Sequence, residues 1–149
     1  MFCRMSGAAS LLGLVPNVSA PEYLEGLAAG HLVLPYCARC GGARLPWITT
    51  CPNGHDHPTE WRRASGVGTL WTWATYHRQY PIARAMAVPY VLAQVQLPEG
   101  IRLNVHFVGG TPTRLKQGLL MTFVPVVEEG RHYPGFALAD DVAQHGDER

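Results

Sequence analysis

Residues 90–107 read YVLAQVQLPEGIRLNVHF, and this stretch decides the fold class. Two runs in which apolar and polar residues alternate flank the turn sequence PEG at positions 98–100. Since alternate residues of a strand lie on the same face, the two runs predict a β-hairpin with one buried face. The predicted inward residues are Val91, Ala93, Val95, Leu97, Ile101, Leu103, Val105 and Phe107. His106 is assigned to the outer, solvent-facing side.

Three further segments show the same period of two, at residues 68–76, 119–127 and 131–139. In the first, the alternation predicts Trp71 and Trp73 on one face, with Leu70 and Ala74 on the other. Pro125 in the second favours a sheet edge or a bulge. Five strands, with a longer connection between the third and fourth, predict a mainly β chain that forms a closed OB-fold barrel. A small β-sandwich is the alternative.

A cysteine-rich segment, LPYCARCGGARLPWITTCPNGHDH at residues 34–57, precedes the strands. A structural zinc site needs four ligands, usually supplied as two chelating pairs. A second C-x-x-C pair would place its last cysteine at position 54, but this residue is Gly54. The predicted metal ligands are therefore Cys37, Cys40, Cys51 and His55, with His57 a less favoured fourth ligand.

The alternative interpretation of this segment is a ribbon that has lost its metal and is held together by Trp47 and Trp61. If metal is bound, a closed four-ligand site leaves no position for substrate, so we expect scaffolding from it and no catalysis. Three clustered cysteines, with Cys3 apart from them, favour a reducing compartment over a disulfide framework. We therefore expect a cytoplasmic protein.

Composition narrows the class of protein. The chain has 149 residues and a formal net charge of +1, and no apolar run approaches the length of a membrane span. The near-neutral charge argues against a broad nucleic-acid-binding surface. The apolar stretch near the N-terminus is short and interrupted by proline, so it matches a secretion signal poorly.

The N-terminal part predicts one short helix. Ser19 is a good N-cap, and Glu22 three residues later completes a capping box. So short a helix is not stable alone in water. It must therefore dock on the rest of this chain or on another protein. The predicted segments are a disordered terminus (1–18), a docking helix (19–33), a zinc ribbon (34–60), the OB-fold (61–139) and a flexible tail (140–149).

Three motifs together resemble a known family. They are the C-x-x-C at residues 37–40, the S-G-x-G at residues 65–68 and the P-Y-x-x-A-x-V-x-L-x-E-G at residues 89–100. In this order they resemble the family in which a rubredoxin-like zinc ribbon precedes an OB-fold, a family associated with acyl-CoA enzymes. The resemblance extends from Pro21 to Ala139. It departs from the family pattern at the fourth metal ligand, where His55 replaces a cysteine.

The resemblance implies a non-catalytic accessory subunit of a thiolase, a side-chain aldolase or a hydratase in lipid or aromatic metabolism. In such complexes, expected to be heterotetramers, the partner subunit carries the chemistry. No phosphate loop, dinucleotide fingerprint or hydrolase nucleophile motif is present, so we predict no catalytic residue in this chain. The candidate contacts with acyl-CoA or the partner are Tyr76, His77, Arg78 and Arg84. The alternative for these residues is an ordinary solvated connection.

Two other functions compete with this one. An OB-fold can bind single-stranded nucleic acid through aromatic side chains in a basic groove. The candidate residues for that function are Trp71, Trp73, Arg62, Arg63 and Arg78. The low net charge argues against it, since Lys116 is the only lysine. A stand-alone hydratase or thioesterase ranks last because no catalytic constellation is apparent.

Overall fold

A computed structural model describes residues 20–55, 58–79, 87–109, 112–128 and 130–146. Its elements are α1 (Pro21–Ala28), β1 (Val33–Cys37), β2 (Thr59–Arg63), β3 (Val67–Tyr76), β4 (Tyr90–Gln96), β5 (Arg102–Phe107), a 3-10 turn (Pro112–Arg114), β6 (Leu120–Glu128), β7 (Arg131–Leu138) and α2 (Ala139–Gly146). In these ranges no helix combines the length and the apolar character that crossing a membrane requires.

The last five strands close into a barrel in the order β3-β4-β5-β7-β6. All neighbours are antiparallel except β5 and β7, which pair in parallel. In the predicted hairpin, Ala93 faces Val105 and Val95 faces Leu103, and all four side chains are buried. The predicted mainly β class with a five-stranded OB-type barrel is confirmed. The strand β6 pairs with β3 at residues 120–122 only, so Pro125 lies beyond that pairing, as its edge preference predicts.

The predicted placement of the two tryptophans of β3 is wrong. The β3–β4 register shifts between Leu70 and Thr72, which marks a β-bulge. One extra residue reverses the faces of all residues that follow it in a strand. Trp73 therefore packs against the same core as Leu70, while Trp71 is 41% exposed with the Arg102 guanidinium 3.8 Å from its ring centroid.

The helix α1 docks on its own chain, which resolves the alternative that the sequence left open. Tyr23 and Leu27 of α1 belong to one buried apolar cluster with Leu34 of β1 and the barrel core. Ala20 occupies the N-cap and no side chain caps the helix, so the capping-box prediction at Ser19 is wrong. Ser19 itself lies outside the described residues.

The antiparallel pair β1–β2 forms the ribbon. Trp47 and Trp61 pack against the same buried cluster as α1 and the barrel. At the other end of the chain, Ala139–Gly146 forms α2 in the stretch for which we expected a frayed tail. Arg114 donates to both carboxylate oxygens of Asp141, at 3.2 and 3.1 Å, and holds α2 to the 3-10 turn. The division into five segments stays a prediction.

His106 is buried, not outward in solvent as predicted. Its side chain is 3% exposed, and its ring stacks on Tyr133 at a centroid distance of 4.9 Å. Tyr133 belongs to β7, which lies beside β5 in the barrel, so a strand distant in sequence covers this histidine. The Nε2 atom of His106 has no hydrogen-bond partner among the described residues. Burial lowers the pKa of His106 from 6.5 to about 4.

We expect His106 to make the chain less stable in acid. Between pH 6.5 and 4 the unfolded chain binds a proton at this position and the folded chain does not. The free energy of unfolding therefore decreases as the pH is lowered from 6.5 to 4. The shift corresponds to about 3 kcal/mol in total. The measurement is chemical denaturation of the wild type and of His106→Phe, which keeps an aromatic ring beside Tyr133 but cannot titrate. His77→Phe, at an exposed histidine, is the control; equal pH dependence in all three proteins would contradict the prediction.

Candidate functional site

The structure brings the four predicted metal ligands together. Cys37 ends β1, Cys40 lies in the turn that follows, and Cys51 and His55 lie in a second turn at residues 51–55. Their ligand atoms all lie within 4.8 Å of one another. His57 lies outside the described residues.

The distances within this cluster suit a tetrahedral metal ion. The Cys40 and Cys51 sulfurs are 3.7 Å apart, and His55 Nδ1 is 3.8 Å from the sulfurs of both Cys37 and Cys51. Zinc bonds of about 2.3 Å to sulfur and 2.0 Å to nitrogen place neighbouring ligand atoms of a tetrahedron roughly 3.5–3.8 Å apart. Three thiols and one imidazole thus form a group that could hold a metal ion.

The second turn shows why a histidine can stand in for the missing cysteine. Gly54 has a φ of +76°, a left-handed conformation that a cysteine at this position would adopt only with strain. The chain runs one residue further before it returns to the cluster, where His55 could supply the fourth ligand atom. Arg44 is buried in the ribbon, with 5% of its surface exposed. Its Nε donates to the Ile48 carbonyl at 2.7 Å, and its guanidinium also donates to the Thr59 hydroxyl, so it links these parts of the ribbon.

Backbone N–H groups favour the thiolate form of two ligands. The N–H of Gly42 is the main influence that lowers the pKa of Cys40 to about 7. The N–H of Cys40 is the main influence that lowers the pKa of Cys37. Since the thiolate is the form that binds metal, these turns favour metal ligation by both sulfurs.

The predicted contact residues lie elsewhere in the fold. Tyr76 is the last residue of the ten-residue strand β3, so it lies about 30 Å from Val67, the residue at which β3 begins. The Tyr76 ring stacks on Tyr90 with centroids 5.2 Å apart and an interplanar angle of 3°. His77 and Arg78 follow and are exposed. Arg84 lies outside the described residues.

A groove on the outer face of β3, β4 and β5 begins at Tyr76. Its volume is about 210 Å³, and its lining residues are Thr72, Trp73, Ala74, Tyr76, Leu92, Ala93, Gln94 and Asn104. Gln94 Nε2 donates to Asn104 Oδ1 at 3.3 Å across the groove floor. The sequence indicated both amides as outward residues of the hairpin. It did not show that a groove passes over them, because that depends on the neighbouring strand.

Glu99, in the predicted PEG turn, makes a contact that the sequence pattern did not show. Glu99 Oε1 accepts a hydrogen bond from the Ser65 backbone N–H at 2.8 Å. Burial and the Glu99 carboxylate both raise the pKa of Tyr36 in the ribbon. A Cβ on Gly68 would lie 2.8 Å from the Gln96 carbonyl oxygen. The Ser65–Glu99 hydrogen bond therefore ties the segment between β2 and β3 to the turn between β4 and β5, and Gly68 permits the close approach of β3 and β4.

One known family resembles the barrel in sequence. Residues 61–126 match the family model described as the C-terminal OB-fold domain of ChsH2. The matched range includes β3, β4, β5 and most of β6, so the barrel is similar to that OB-fold domain. The resemblance found in the sequence, to ribbon-plus-OB-fold proteins associated with acyl-CoA enzymes, is confirmed.

Similar proteins extend the match beyond the barrel. A probable enoyl-CoA hydratase alpha subunit from Thermomonospora curvata is 31% identical over 97 residues, 65% of this chain and 30% of the relative. The solved structure named Ltp2-ChsH2(DUF35) aldolase contains a chain with 27% identity and a TM-score of 0.70; the match covers 80% of this chain and 93% of that one. A DUF35-family protein of unknown function from Sulfolobus solfataricus, at 13% identity and a TM-score of 0.53, shows the fold alone.

Proposed function

We propose that this chain is a non-catalytic accessory subunit of an acyl-CoA thiolase- or aldolase-type complex. The observation that carries the proposal is the match to a chain of the Ltp2-ChsH2(DUF35) aldolase, of which 93% is covered. The hydratase subunit from Thermomonospora curvata supports the same class of acyl-CoA enzyme. This chain spans less than a third of that relative's length, so the relative's own activity is not carried over.

In this proposal the Cys/His cluster binds Zn²⁺ and acts as a structural centre. The donor set supports it, since three thiolates and one imidazole are typical ligands of structural zinc. Bound zinc would cross-link the two turns of the ribbon. Because Trp47 and Trp61 of the ribbon pack on the cluster shared with the barrel, the metal would also stabilise the surface that the barrel presents.

We further propose that the partner or its acyl-CoA substrate contacts the chain at the groove and at the end of β3. The groove combines apolar walls with the amides of Gln94 and Asn104, a lining suited to an extended chain that carries amide groups. Arg78 supplies an exposed cation close by in sequence, suited to a phosphate. Arg84 is proposed for the same role. The assembly is proposed to be a heterotetramer in the cytoplasm.

Affinity purification of the tagged chain from its native host tests this function. We expect a thiolase- or hydratase-like subunit in stoichiometric amount, identified by mass spectrometry. Reversing the charge at the proposed contact, Arg78→Glu, is expected to lower partner recovery or acyl-CoA turnover by the complex at least tenfold. Arg131→Glu, a charge reversal at an exposed arginine that starts β7, is the matched control.

Two results would contradict the proposed function. One is the absence of any acyl-CoA enzyme among the recovered proteins. The other is nucleic acid, detected by absorbance, that stays bound through a moderate salt wash, which would instead support an OB-fold that binds single strands. Equal loss of partner in Arg78→Glu and Arg131→Glu would reject the proposed contact region alone.

A further inference from the structure

Cys40 differs from the other ligands of the candidate metal centre in its exposure. Cys37 and Cys51 are buried and His55 is half-buried, whereas Cys40 is exposed. A metal-bound thiolate at the surface is open to water, to competing chelators and to protonation. The residues around Cys40 therefore affect the affinity of the centre for a metal ion.

One polar side chain reaches this exposed sulfur. Asn53 Nδ2 lies 3.7 Å from Cys40 Sγ, in the range of a hydrogen bond to sulfur. Asn53 stands in the second turn, between the ligands Cys51 and His55, whereas Cys40 belongs to the first. The contact therefore joins the two turns that a metal ion would cross-link.

The other side of Cys40 leaves little room for a similar contact. A Cβ on Gly42 would lie 3.4 Å from Cys40 Sγ, so the glycine brings backbone close to the sulfur and contributes no side chain. Among the described residues, the side chains with a hydrogen bond to Cys40 are Asn53 and the fellow ligands Cys37 and Cys51. Asn53 is thus the non-ligand side chain in contact with the exposed thiol.

We propose that Asn53 is a positioning residue of the metal centre, which orients the Cys40 thiolate and delays its release from Zn²⁺. The inference rests on the zinc site of the proposed function. Zn²⁺ together with three thiolates and a neutral imidazole has a net charge of −1. An amide N–H donor stabilises this charge, and a carboxylate repels it. Groups that hydrogen-bond to metal ligands typically contribute about 10–100-fold to metal affinity.

The test compares Zn²⁺ affinity and Co²⁺ spectra of the full chain in the wild type, Asn53→Ala and Asn53→Asp. We expect Asn53→Ala to weaken Zn²⁺ binding about tenfold and Asn53→Asp to weaken it more, because the carboxylate has the same shape but repels the thiolate. The thiolate-to-cobalt absorption band is expected to shift in both variants, which a merely structural substitution would not cause. Asn53→Ser, which keeps a donor, is expected to restore part of the affinity.

Thr49→Ala, which removes an exposed polar side chain from the same loop, is the control and should match the wild type in affinity and spectrum. Zinc affinity of Asn53→Ala within threefold of the wild type, with an unshifted cobalt band, would overturn the proposal. A wild-type chain that binds no metal would overturn it as well. Neither result touches the accessory-subunit function, since partner recovery is measured separately.

Discussion

Zn²⁺ is expected to raise the melting temperature of the wild-type chain by about 10 °C, and Cys51→Ser is expected to abolish this increase. Cys51 is buried and its sulfur contacts both Cys40 and His55, so its loss removes one corner of the proposed tetrahedron. Free metal at about a thousand times its dissociation constant stabilises a folded protein by about 4 kcal/mol. For a chain of this length, that corresponds to roughly 8–16 °C.

The measurement is thermal unfolding of the chelated and zinc-loaded chain, followed by circular dichroism. Cys3→Ser provides the matched control, because it removes a cysteine that lies apart from the cluster in sequence and outside the described residues. It should retain the full zinc effect. If zinc leaves the melting temperature of the wild type unchanged, the ribbon is a metal-free relic held by its tryptophans and the proposed zinc centre is wrong.

The second large effect is expected at Gly135, where an alanine should destabilise the chain by about 3 kcal/mol. A Cβ at this position would lie 2.4 Å from Val126 Cγ2 and 2.6 Å from the backbone oxygen of Val124. Side chains can rotate away, but the backbone oxygen belongs to the adjacent strand β6 and moves only with the sheet. Overpacking of this kind typically costs about 1–3 kcal/mol, and the backbone clash places this case at the upper end.

Urea denaturation of Gly135→Ala and Gly100→Ala separates crowding from backbone strain. Gly100 has a φ of +95°, and a Cβ added there would have nothing within 4 Å. Its alanine variant therefore carries only the cost of the left-handed conformation, about 1–2 kcal/mol. A smaller loss at Gly135 than at Gly100 would show that β6 and β7 are not as closely apposed as the structure indicates.

Local patterns were sufficient to bring out the candidate metal ligands and the strands of the barrel. Ligand spacing is a property of a short segment, because two chelating turns place their donors within reach wherever the ribbon lies. Hydrophobic alternation is equally local, so the hairpin of β4 and β5 and its buried residues Ala93, Val95, Leu103 and Val105 were predicted, whereas the burial of His106 was not. The contact of Asn53 with Cys40 could not be predicted from a local pattern, because it depends on how the two turns face each other.

The sequence by itself therefore determined the strands, the candidate metal ligands and the resemblance to the family. Tertiary structure decided which side chains are covered. The alternation of β5 predicts that His106 faces outward, but the neighbouring strand β7 buries it, with the ring of Tyr133 stacked on it. Trp71 and Trp73 alternate regularly in sequence, but a bulge set by the pairing with β4 separates them. Burial depends on neighbours that are remote in sequence, and a local period carries no information about them.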